Sequence, residues 1–128
     1  MKASAATKLV PKLLRQVRDG QGHIAPDRVA RAFSMSRGQL AETMGLAAEA
    51  IYKSRRREAP KTQARLLEML EILARVSDWA GSEAAAMAWY RSQPLAALGD
   101  RTAESLVKTG QATLVRDYLD HLALGNYA

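Results

Sequence analysis

The stretch Arg37–Ser54, RGQLAETMGLAAEAIYKS, decides the fold. Leu40, Met44 and Ile51 recur at helical spacing, and Gly45-Leu46 interrupts the pattern between them. Two helices that meet at a tight turn need a very small residue where they cross, and Ala41 supplies it. The turn needs a residue free to adopt positive φ, and Gly45 is that residue. Apolar side chains must pin both helices to the rest of the chain: Leu40 and Met44 from the first helix, Leu46 from the turn, Ile51 from the second. The spacing predicts a short helix over 37–44, a turn at Gly45 and a second short helix over 47–54. Ser34 or Ser36 is positioned to cap the first.

Upstream, Pro11 suits the first turn of a helix with Leu13, Leu14 and Val17 on one face and Lys12, Arg15 and Arg18 on the other. That helix either packs on the core through its apolar face or serves as an arm; packing is preferred. Asp19-Gly20-Gln21-Gly22 ends it. Pro26 opens the next helix, with Val29, Ala30 and Phe33 inward. Downstream, Arg55-Arg56-Arg57-Glu58-Ala59-Pro60 reads as a basic loop. Residues 62–79 form the longest helix, with Leu66, Leu67, Leu70, Leu73 and Val76 apolar and Glu68, Glu71, Arg75 and Asp78 polar; Glu71 and Arg75 are spaced as an i,i+4 pair. Ser82 caps a helix over 83–92, which Gln93-Pro94 stops. Leu95–Gly99 is a compact apolar turn, and Thr102 caps a short helix through Lys108. After Gly110 the final helix carries the stripe Leu114, Val115, Tyr118, Leu119 and Leu122, with Gly125 as its C-terminal cap.

Composition agrees. The 128 residues include 24 Ala and 16 Leu against 9 Val plus Ile, so strong helix formers dominate and the expected class is all-α. There is no cysteine, which excludes a disulfide framework, a thiol nucleophile and cysteine-ligated zinc. The two histidines, His23 and His121, are far apart, and neither a metal site nor a cofactor is expected. No apolar run is long enough to span a bilayer and no secretory signal is evident, so a cytoplasmic protein without membrane contact is expected. The net charge of +6 is uneven. Residues 1–65 hold 14 Lys and Arg against 5 Asp and Glu; residues 66–128 hold 5 against 8. A polyanion therefore suits the first half and a different task the second.

The pattern Leu40-Ala41…Met44-Gly45-Leu46…Ile51 resembles the helix-turn-helix of phage-repressor-like (Xre/Cro) proteins, which implies binding to duplex operator DNA as a dimer. The second helix would then present Ala47, Ala48, Glu49, Tyr52 and Lys53 outward, a poor set of base readers. Arg55, Arg56 and Arg57 suit phosphates, which give affinity without sequence information. Gln39, Glu49 and Tyr52, with DNA shape and dimer spacing, are left to supply specificity. The plainer alternative is a packing unit beside a solvated basic loop.

The second half carries Trp89…Pro94-Leu95…Leu98-Gly99, then Thr102, Gly110 and a Gly-x-Tyr-Ala ending. This resembles the C-terminal toxin-binding domain of antitoxins in RES–Xre toxin–antitoxin pairs (the Xre/MbcA/ParS group). Asp100, Ala103 and Gln111-Ala112 depart from the common pattern of that group. The resemblance implies a non-enzymatic antitoxin that binds an NAD-depleting RES-type toxin and covers its active-site entrance with its C-terminal end. It also implies repression of its own operon. The implied toxin-contact residues are Trp89, Tyr90, Leu95, Leu98, Gly125, Asn126, Tyr127 and Ala128. On this reading the chain divides into an arm (1–24), a helix-turn-helix region with the long helix (25–80) and a toxin-binding region (81–128), and acts as a homodimer within a larger complex. Tyr127 either folds back on Leu122 and Leu124 or meets the partner; the resemblance favours the partner.

Among single residues, Trp79 reads as a core anchor and Trp89 as an anchor able to reach a partner. Met35, Met44, Met69 and Met87 read as core fillers. Glu104 and Asp100 lack any accompanying nucleophile or base, so a hydrolase is not supported. The competing function is a stand-alone helix-turn-helix repressor whose C-terminal region dimerises or senses a ligand.

Overall fold

The computed structural model describes residues 12–125, and all regular secondary structure in that span is helical apart from two isolated bridges. Residues 12–17 (α1) bury Leu13 and Val17, as the apolar spacing predicts. The chain then reverses through a loop closed at its base by the Arg18–Ile24 bridge and by Ala25 N–H donating to the Val17 carbonyl at 2.8 Å. Within this loop the Asp19 carboxylate accepts the amides of Gln21 and His23 at 2.8 and 3.0 Å. The Gln21 amide, foremost, holds the Asp19 carboxyl below the ordinary carboxylate range. Helix α2 (Pro26–Ala32) buries Val29 and Ala30, with Phe33 following in the core.

Helix α3 (Arg37–Met44) begins at Ser36, which forms a full capping box with Gln39: Ser36 Oγ accepts the Gln39 amide and Gln39 Oε1 accepts the Ser36 amide. It ends at Gly45, whose φ of 68° is left-handed. A Cβ at Gly45 would stand 2.9 Å from Cγ of Lys108, so close approach demands glycine here as well as the backbone angle. Ala41 is buried, as the crossing requires. The Arg65 guanidinium donates to the Met44 carbonyl at 2.9 Å and satisfies one of the free carbonyls at the end of α3.

The segment after the turn departs from expectation. In place of one helix over 47–54 there are two single turns, α4 (Glu49–Tyr52) and α5 (Ser54–Arg57), separated by Lys53 in extended conformation. The three arginines thus stand on a helical turn and not in a loop. No glycine or proline lies between Leu46 and Ala59, so local sequence signals no break. The break is spanned by one bond within the segment and tied down by another from the next helix. Arg57 donates to the Tyr52 carbonyl at 3.1 Å, and the Gln63 side chain of the next helix donates to the Arg57 carbonyl at 2.7 Å while pairing with both backbone groups of Ile24.

Helix α6 (Pro60–Ala80) is the central pillar, with Leu66, Met69, Leu70, Ile72, Leu73 and Val76 all buried. Helix α7 (Glu83–Ser92) packs back along it from a Ser82 cap. A 3-10 turn (Ala96–Leu98) sits inside the Leu95–Arg101 bridge, and α8 (Ala103–Lys108) starts at a Thr102 cap. Helix α9 (Ala112–Ala123) closes the bundle with Val115 and Leu119 buried. Glu71 and Arg75 do not pair with each other. Glu71 takes Arg116 at 3.0 Å and Arg75 takes Asp120 at 2.9 Å, because α9 offers opposite charges in register along the same face of α6. One continuous core runs from Leu13 to Leu119. It contains Met44, Met69 and Met87, with Met35 packed against it.

Candidate nucleic-acid and partner surfaces

The basic surface lies where α3, α4 and α5 reach solvent. Ala47, Ala48, Glu49, Lys53, Arg55 and Arg56 are exposed, Tyr52 is half exposed, and Arg57 is partly buried by its bond to the Tyr52 carbonyl. The Arg37 guanidinium lies over the Tyr52 ring, 4.9 Å from its centroid, and its Nη1 is 3.5 Å from Oδ1 of Asp27. Sequence reasoning missed Arg37, because it belongs to the first helix of the pair and only the crossing angle brings it to the second. Gln39 is exposed, yet its Oε1 is committed to the Ser36 cap. Bidentate readout of an adenine needs both the oxygen and the nitrogen of the amide, so Gln39 can make it only by giving up that cap.

The second surface differs from expectation more sharply. Tyr90 and Leu95, expected to face a partner, are in the core, with relative exposures of 0% and 2%. Burial pushes the Tyr90 phenol far above its usual pKa, and its hydroxyl has no hydrogen-bond partner. Leu95 is buried because it anchors the Leu95–Arg101 bridge: it accepts and donates the backbone bonds that close the turn. Leu98 is half-buried against the core, and Gly125 is partly exposed. Asn126, Tyr127 and Ala128 lie outside the described residues.

What does reach solvent is Trp79. Expected in the core, it is 56% exposed and packs edge-on to Trp89, centroids 5.7 Å apart at 88°. The Glu71–Arg116 and Arg75–Asp120 pairs advance in step, so α6 and α9 run parallel along this seam. One further turn along each helix brings Trp79 and Leu124, the latter 85% exposed, toward the same end of the molecule. Trp79 reads as a core anchor in the sequence because tryptophans at helical positions are usually buried; it is the penultimate residue of α6 and reaches solvent.

Arg91 connects the halves. It reaches Glu104 at 3.2 Å and Glu42 at 3.5 Å, joining α7 to α8 and to α3. No helix among the described residues is long and apolar enough to cross a membrane.

Comparison with known families places a match on the second half. Residues 75–125 match the family model of the antitoxin Xre/MbcA/ParS C-terminal toxin-binding domain. The matched segment starts inside α6 and takes in Trp79, Trp89 and all of α7, α8 and α9. It supports an Xre/MbcA/ParS-type antitoxin role in a toxin–antitoxin system, with a toxin as partner. Comparison with curated proteins and with solved structures finds no significant match.

Proposed function

We propose that this chain is an antitoxin that binds and inhibits a RES-type, NAD-depleting toxin through its C-terminal half, and that binds operator DNA through α3–α5 to regulate its own operon. The match over residues 75–125 to a toxin-binding domain carries the first part of the reading. Exposed Trp79, packed on Trp89, with Leu124 toward the same end, supports it, since solvent-exposed aromatic clusters commonly anchor partners. On this reading Trp79, Trp89, Leu98 and Leu124 dock the toxin, and Gly125, Asn126, Tyr127 and Ala128 occupy its active-site entrance. Tyr90 and Leu95 act only by supporting the fold.

The DNA-binding part rests on the charge surplus of the first half and on exposed Lys53, Arg55 and Arg56 beside Tyr52. A homodimer would place two such surfaces on one operator. The action would be cytoplasmic, where NAD and DNA are both available. The same charge surplus favours the second reading, a repressor without a toxin partner.

Two measurements test the proposal. Co-expression with the protein encoded next to it should give a co-purifying complex, and the complex should consume NAD slowly. Deleting residues 125–128 should leave folding and DNA binding unchanged while inhibition of NAD loss falls sharply at matched occupancy. Undiminished inhibition would mean that the helices alone block the toxin. Promoter binding without any captured partner would leave the repressor reading standing in its place.

A further inference from the structure

The loop after α1 and the turn after α5 bring three potential metal ligands together. Asp19 and His23 come from the first and Glu58 from the second; all three are partly buried, and one ligand atom from each lies within 4.8 Å of the other two. The placement is built, not incidental. Gln63 pairs with both backbone groups of Ile24 and donates to the Arg57 carbonyl, which clamps the residue after His23 to the residue before Glu58. The Asp19 carboxylate is oriented in turn by the Gln21 and His23 amides through Oδ1, so its other oxygen is spared by those two bonds. His23 Nδ1 is buried and has no hydrogen-bond partner, a state that costs free energy unless something pairs with it.

We propose that Asp19, His23 and Glu58 form a binding site for a divalent transition metal of the zinc type. One imidazole and two carboxylates are a suitable donor set for such an ion, which binds nitrogen and oxygen ligands at about 2.0–2.2 Å. Ligands on one ion are then closer together than 4.8 Å, so binding draws the three side chains inward by small rotations. The set lacks the thiolates of a purely structural zinc site and leaves coordination positions for water. Calcium is disfavoured, since it takes six to eight oxygen ligands and does not select imidazole. The ion fastens the α1–α2 loop to the turn bearing Arg55, Arg56 and Arg57. It also offsets two negative charges beside those arginines, making this corner of the molecule more positive.

The test titrates the tag-free, metal-stripped full chain with ZnCl2 by calorimetry and follows Tm in parallel. The expected result is saturable binding of one ion per chain and a rise in Tm. His23→Gln and the double variant Asp19→Asn/Glu58→Gln should each weaken zinc binding by more than the roughly 10- to 100-fold that follows loss of an outer-shell partner. Asp19→Asn keeps an oxygen for the two loop amides, and helical circular dichroism should show both variants folded. His121 beside Asp117 and Asp120 is the competing surface ligand group, and His121→Asn should leave the affinity unchanged. Absence of saturable binding in the unaltered chain would overturn the proposal. So would equal affinity in the folded variants, or loss of binding on His121→Asn.

Discussion

The two halves of this molecule place their chemically active residues in opposite ways. In the first half most of the residues singled out for a partner are polar or charged, and those on the short turns after Gly45 project from the core: Glu49, Lys53, Arg55 and Arg56 are all exposed. In the second half most of the residues singled out were apolar, and two of them, Tyr90 and Leu95, are core residues. The difference is instructive. A charge has only one inexpensive location, the surface, so its position can be read from its identity. An apolar side chain in a recognisable pattern has two, and a pattern such as Pro94-Leu95…Leu98-Gly99 persists because it builds the turn, whether or not a partner ever touches it. The apolar side chains that the second half does expose are Trp79 and Leu124, at the ends of α6 and α9.

Removing a core residue from the supposed partner surface gives the largest expected effect. Tyr90→Ala should destabilise the fold by about 3–5 kcal/mol, as emptying a fully buried aromatic site does, read by urea or thermal unfolding. If stability is unchanged and toxin capture alone is lost, Tyr90 is a contact residue after all and the contrast between the halves fails. In the basic half, replacing Arg55, Arg56 and Arg57 together by alanine should weaken DNA binding on the order of 100-fold at moderate salt. It should also lower the slope of log K against log salt by about 3, if each arginine holds one phosphate. Stability should fall only by about 1 kcal/mol, through loss of the Arg57 bond to the Tyr52 carbonyl. Equal affinity for promoter DNA before and after would remove α5 from the interface.

The seam between the halves is probed by Gly45→Val. It forces a β-branched residue into left-handed backbone against Lys108, and a loss of roughly 1–3 kcal/mol is expected from overpacking, with backbone strain added. A Tm equal to that of the unaltered chain would show that the turn tolerates a Cβ. Trp79→Ala should separate stability from binding. Toxin affinity should fall by about 1–2 kcal/mol if the ring is an interface anchor, against a smaller loss of stability from the broken Trp79–Trp89 pair. Loss of stability with full toxin affinity would return Trp79 to a structural role. The smallest effect is expected from Tyr90→Phe. It deletes a buried hydroxyl that has no partner, so stability should be unchanged or raised by up to about 1 kcal/mol. A marked loss would reveal that the hydroxyl is engaged.

Much of this architecture was legible in the sequence. The all-α class, the α3–Gly45 turn, the Ser82 and Thr102 caps, the long central helix and the inward faces of α1 and α2 follow from hydrophobic period and capping chemistry, which act within a few residues; the choice of Ser36 over Ser34 as cap, and the exposure of Leu114 on the apolar stripe of α9, did not. Gly45 illustrates the boundary. Its positive φ is dictated locally, whereas the Cγ of Lys108 that forbids a side chain there arrives from a distant part of the chain. Four features were decided only by tertiary structure. The turn after Lys53 is tied to the distant Ile24 backbone through Gln63. The exchange of Glu71 and Arg75 to partners on α9 depends on the register between two helices. The burial of Tyr90 and Leu95 depends on what packs over them. The meeting of Asp19, His23 and Glu58 depends on two loops being brought side by side. In each case the local energies of the alternatives are close, because a single turn of helix, an exposed ion pair or a half-apolar surface is worth little by itself. Contacts remote in sequence therefore determine which alternative the chain adopts.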